Sequence, residues 1–130
     1  MTENNSAENS KILSELFWAF SREKYSSKEE FSRKIKQYQI DINEKDSWQP
    51  DRIVVDKPQI NLLLDMDWQL PPDDQIEFTL KSENEKGFTA LDLIFQLNNF
   101  LAGYDLGDYQ FFEGLKYTPE TDRYLIKLGS

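Results

Sequence analysis

Two stretches of the chain gather the side chains best suited to acid-base or metal chemistry. Asp65, Asp67, Asp73 and Asp74 surround Trp68 and the Pro71-Pro72 pair, while Asp105, Asp108 and Glu113 flank Gly107 and the aromatic run Tyr109-Gln110-Phe111-Phe112. Carboxylates act as general acids, bases or hard-cation ligands when two or three of them converge. Asp65 and Asp67 point to one side if the strand before them continues. The spacing lacks the alternating oxygen ligands, central glycine and terminal glutamate of a calcium loop, and neither GxGxxG nor GxxxxGK[ST] occurs to cradle a phosphate. In a chain with 24 acidic residues, groupings of this kind arise without function. A carboxylate-based enzyme would need Asp105, Asp108 or Glu113 to meet in a concave pocket.

The chain has no histidine and no cysteine. That removes His-dependent triads, an imidazole general base, the familiar zinc sites and any disulfide. Enzymes built from carboxylates, lysine or tyrosine stay open, but the reading is a non-enzymatic protein with no catalytic residue, metal or cofactor expected.

Charge points toward a partner. Fifteen basic residues face 24 acidic ones, a formal net charge of −9. The first 50 residues are nearly balanced, with 8 basic and 9 acidic groups; residues 51–80 hold 2 and 7, and residues 81–130 hold 5 and 8. Such a field repels nucleic-acid backbones and favours a basic protein by steering, although net charge also serves solubility alone. Tryptophan beside charged groups makes a good interface anchor. The expected partner surface is thus Asp65, Asp67, Trp68, Asp73 and Asp74, with Trp48, Tyr104, Asp105 and Asp108.

These residues need elements to hold them. Residues 1–10 are polar and read as a frayed N-terminus, which leaves 11–130 as a single α+β domain. Ile12, Leu13, Leu16, Phe17 and Phe20 recur at helical spacing and predict a first helix. Ser27 with Glu30 forms a capping box before a second helix, about 28–39, whose face carries Phe31, Ile35 and Tyr38. Segments 52–55, 59–64 and 75–81 read as strands, the last with clean alternation of Ile76, Phe78 and Leu80. Thr89 caps a third helix bearing Leu91, Ile94, Phe95 and Leu101, which stops near Gly103. Segments 109–115 and 123–128 flank a turn at 118–122 and predict a hairpin. The expected architecture is α-α-β-β-β-α-β-β, three helices packed on a mainly antiparallel sheet of about five strands. No apolar run reaches membrane-spanning length and Met1–Asn5 carry no basic, apolar leader, so a cytoplasmic location without membrane contact is expected.

The run Gly107-Asp108-Tyr109-Gln110-Phe111-Phe112-Glu113-Gly114-Leu115, with Arg123-Tyr124-Leu125-Ile126-Lys127-Leu128-Gly129-Ser130, resembles the C-terminus of small uncharacterised bacterial proteins. Some of these look like immunity proteins of toxin systems. In them a Gly-Phe-Thr helix start like Gly87-Phe88-Thr89 precedes the Phe-Phe-Glu-Gly-Leu strand, so the likeness covers roughly the last 45 residues. Tyr109 stands where a histidine is frequent in that pattern, which argues against an obligatory catalytic role there. The resemblance implies a compact bacterial domain that neutralises a toxin, here a basic one, by direct binding. The alternative is a structural or oligomerisation module, such as a homodimer formed over an uncovered sheet face.

Overall fold

Leu13, Leu16, Phe17 and Phe20 fit a helical stripe, but Leu16, Trp18 and Phe20 also alternate with Phe17 and Ala19, and the protein folds by the alternation. In the computed structural model, which describes residues 11–43, 48–64, 76–104, 106 and 109–129, β1 is Lys11–Ile12. Leu13 then turns with φ 58°, and the chain runs on to Ala19, which bridges Phe111. The Phe20 N–H donates to the Gln110 carbonyl at 2.8 Å, and the Phe112 N–H to the Trp18 carbonyl at 2.8 Å.

Side-chain amides satisfy much of the remaining backbone. Gln39 accepts from the Phe17 N–H at 3.0 Å and donates to the Phe17 carbonyl at 2.5 Å. Asn98 donates to the Glu23 carbonyl at 2.9 Å, while Asn99 accepts from the Tyr25 N–H at 2.9 Å and donates to the Tyr25 carbonyl at 2.8 Å. These amides stand where a neighbouring strand would stand, so the non-helical segment stays hydrogen-bonded. The expected first helix and the three-helix layer are overturned. The described residues hold two helices.

Helix α1, Lys28–Asn43, starts as its capping box predicts, with the Ser27 hydroxyl accepting from the Glu30 N–H at 3.2 Å. Helix α2, Ala90–Leu101, is capped by the Thr89 hydroxyl, which accepts from the Asp92 N–H at 3.0 Å. The other strands are β2 (Ile53–Val55), β3 (Gln59–Leu64), β4 (Ile76–Lys81), β5 (Phe88–Thr89), β6 (Phe111–Thr118) and β7 (Arg123–Gly129).

The main sheet has the order β1-β6-β7-β3-β4, and β2 leaves it to pair with β5. All its neighbours are antiparallel except β3 and β7, which run parallel with Leu63 opposite Leu125. The mainly antiparallel five-strand sheet is therefore corrected to a mixed five-stranded sheet plus a two-stranded one, α+β in kind. Sequence adjacency foretold the β6–β7 hairpin. The β3–β7 pairing joins strands about 60 residues apart, a contact that no turn signal announces.

Gly114 sets the register in β6. Its φ of 96° suits glycine, and an added Cβ would meet Ser14 Cα at 2.8 Å and the Ile12 carbonyl at 3.0 Å. The β6–β7 register shifts between Phe112 and Leu115. The irregularity lets both Phe112 and Leu115 face inward although they stand an odd number of positions apart. The core lies on that side: Leu62, Leu64, Leu93, Ile94, Leu97, Leu101, Leu115 and Ile126 are essentially inaccessible. Phe100 of α2 stacks on Phe78 of β4 with ring centres 3.6 Å apart, which fixes α2 against the inner face.

Candidate interaction surface

The expected partner surface falls largely on segments that are not described: Asp65, Asp67, Trp68, Asp73, Asp74, Asp105 and Asp108 all lie outside the described residues. Its other two members are placed, and each closes an edge of the core. Trp48 is half-buried and donates from Nε1 to the Ser32 hydroxyl of α1 at 2.8 Å. Tyr104 packs against Phe100 with ring centres 5.4 Å apart. The chain next to Trp48 meets the start of α2, where the Leu91 N–H donates to the Pro50 carbonyl, whereas Tyr104 follows the helix end. A helix of this length separates them by about 18 Å, so they do not share one spot. Glu113, the remaining carboxylate of the C-terminal grouping, is exposed on β6.

Polar chemistry elsewhere is internally matched. Asp92 is 4% exposed at the first turn of α2; it accepts from Lys28 Nζ at 2.9 Å, Gln96 Nε2 at 2.8 Å and the Glu83 N–H at 2.9 Å. Burial pushes the Lys28 ammonium down, but its hydrogen bonds to Glu83 and Asp92 outweigh that and leave it above the ordinary lysine value. An open groove of about 320 Å³ runs between β1 and β2, lined by residues including Lys11, Glu15, Arg52 and Ile53. Arg52 Nη2 lies 2.6 Å from Glu15 Oε1 across it. Burial raises the Glu15 carboxyl, yet the Arg52 hydrogen bond and charge bring it below the usual carboxylate value. That pairing keeps Glu15 ionised and engaged near neutrality, a poor arrangement for a proton-transfer group. Among the described residues no group of three or more Asp and Glu stands close enough to hold a metal ion.

The surface that remains unmatched is the outer face of the five-stranded sheet. Its side chains follow from register and alternation. Lys11, Lys116, Leu125, Leu63 and Glu77 form one row across all five strands, because Lys11 pairs Lys116, Lys116 pairs Leu125, Leu125 pairs Leu63 and Leu63 pairs Glu77. Arg123 and Lys127 flank Leu125 along β7. Toward the other end of β6, Phe111 is 41% exposed opposite Gly129, and Phe17 is 44% exposed on the strand-like segment beside it. Leu63 and Leu125 are half-buried. Helix α2 lies against the opposite face through Phe100, α1 packs on α2 and on Trp18, and no described helix covers this one.

No family model, curated protein or solved structure matches this chain. The surface must therefore be read from its own chemistry. Sequence reasoning passed over Phe17, because a helix was expected there, and did not single out Lys116, Leu125 or Lys127. The available signal was the alternation in β7: Tyr124, Ile126 and Leu128 make a continuous apolar face, so Leu125 stands on the other side between two cations.

Proposed function

We propose that this is a non-enzymatic protein-binding domain that docks its partner on the outer face of the five-stranded sheet. The observation carrying this reading is a face that no described helix covers, which exposes Phe17 and Phe111 and sets Leu63 and Leu125 among charged residues. Large apolar side chains ringed by charge are the composition of a docking surface, with the apolar groups supplying affinity and the charged rim specificity. The sheet is rigid and already paired along its strands, so docking would order little new chain.

Neutralisation of a bacterial toxin by direct binding is the narrower form of the proposal. It draws on the C-terminal resemblance; net charge alone suggests a basic toxin, but the charge of the docking face rather than that of the whole chain selects the partner. A cytoplasmic location belongs to the same proposal; no helix among the described residues is long and apolar enough to cross a membrane.

The test is affinity capture with tagged protein, run beside a Leu125→Asp variant and against toxins encoded next to the gene. A stoichiometric protein retained by the wild type and lost by the folded variant is expected. Equal capture by both would remove the sheet face from the account.

A further inference from the structure

Charge on the outer sheet face runs against charge on the chain as a whole. Among the described residues, register and alternation place five cations there, Lys11, Lys81, Lys116, Arg123 and Lys127, against two anions, Glu77 and Glu113. Glu77 is already engaged, with Oε2 2.8 Å from Arg123 Nε. The Glu113 carboxylate lies against Gly129, where a Cβ would stand. Lys116 is flanked by Lys11 and Leu125 and Lys81 pairs Gln59, so these three lysines have no anion across the strands among the described residues, whereas Lys127 lies opposite the Glu113–Gly114 irregularity of β6. Among the described residues the face is thus cationic, in a chain of net charge −9.

We propose that this face takes an acidic protein surface carrying apolar side chains, which fit over Leu63 and Leu125. The inference rests on the protein-binding reading and adds the sign and kind of partner.

A second copy of the chain suits the face poorly. β7 is the central strand, and sheets packed face to face keep their strands roughly aligned. A two-fold axis along β7 sets Arg123 against Arg123 and Lys127 against Lys127 of the second copy. An axis across the strands at Leu125 sets Arg123 against Lys127. Each arrangement opposes like charges, and desolvating such pairs is unfavourable. Single-stranded nucleic acid also stacks on exposed aromatics beside lysines. Here Glu113 shares the Phe111 side of β6, Glu77 closes the row of lysines, and the field of the whole chain repels a phosphate backbone. An acidic protein surface satisfies the cations and tolerates the two carboxylates.

The experiment measures fluorescence anisotropy of three labelled probes with the full-length protein. They are a peptide alternating Glu with Leu and Phe, the same peptide with Lys in place of Glu, and a single-stranded oligonucleotide of charge equal to the first. The expected result is that the acidic peptide binds most tightly and loses affinity as salt rises. A K116E/K127E variant, altered only at exposed positions, should bind it at least about tenfold more weakly. Circular dichroism and the urea midpoint confirm that the variant is folded; K116A/K127A serves if charge reversal disturbs the sheet. The inference is overturned if the acidic peptide does not bind, if the Lys peptide or the oligonucleotide binds as tightly, or if a folded variant is unaffected. Self-association of the wild type that survives K116E/K127E would also overturn it. If Leu125→Asp abolishes partner capture while K116E/K127E changes nothing, the protein-binding reading stands and the acidic-partner inference falls.

Discussion

Gln39 shows how much one buried amide carries. It is 1% exposed, and it serves both backbone groups of Phe17 and the Ile35 carbonyl. Gln39→Leu keeps the bulk but leaves the Phe17 N–H and carbonyl unpaired; urea unfolding should show a loss of about 2–3 kcal/mol. Lys28 adds a pH signature. Its folded-state pKa lies above the unfolded one, so its contribution is complete below the unfolded-chain value of about 10.4 and fades as pH rises through the folded value. Lys28→Met should cost about 1 kcal/mol at pH 7, a figure kept small because the ammonium is partly solvated. The difference from wild type should shrink above pH ~10.5 in parallel denaturation curves. Nothing in the sequence marked Gln39 or Asn98 as substitute strand neighbours, because a glutamine or asparagine on a helix face reads as solvated until the fold brings an extended segment beside it.

At the scale of elements, local signals were legible where the physics is local. The Ser27 and Thr89 caps, the alternating faces of β3 and β4, and the β6–β7 hairpin all follow from residues a few positions apart. Segment 11–20 was misread because its apolar residues satisfy two periods at once, and tertiary hydrogen bonds from α1 and α2 decided between them. Of the expected interface, Trp48 and Tyr104 were chosen for residue type and loop surroundings; Trp48 bonds to Ser32 of α1 and Tyr104 packs on Phe100 of α2. Gly114 lets β1 lie close to β6. Gly114→Ala should strain a φ of 96° and push Cβ into the Ser14 backbone, with a loss of about 2–3 kcal/mol. Hydrogen exchange in the variant should rise first at Ile12 and Leu115, the residues this approach pairs.

Across the molecule, the inner face of the five-stranded sheet carries α2, and no described helix covers the outer one. Net charge, the most accessible global number in the sequence, pointed to a basic partner, while the sorting of cations onto one face depends on pairings such as β3 with β7 that only the folded chain brings about. The central claim is that this face binds a protein. Its most direct measurement compares partner capture by wild type, Leu125→Asp, and a control that also introduces an aspartate, on the exposed side of α1, Lys34→Asp. Partner retained by wild type and by Lys34→Asp but lost by Leu125→Asp, with all three proteins folded, is the predicted result. Retention by Leu125→Asp, or equal loss in both variants, would contradict it.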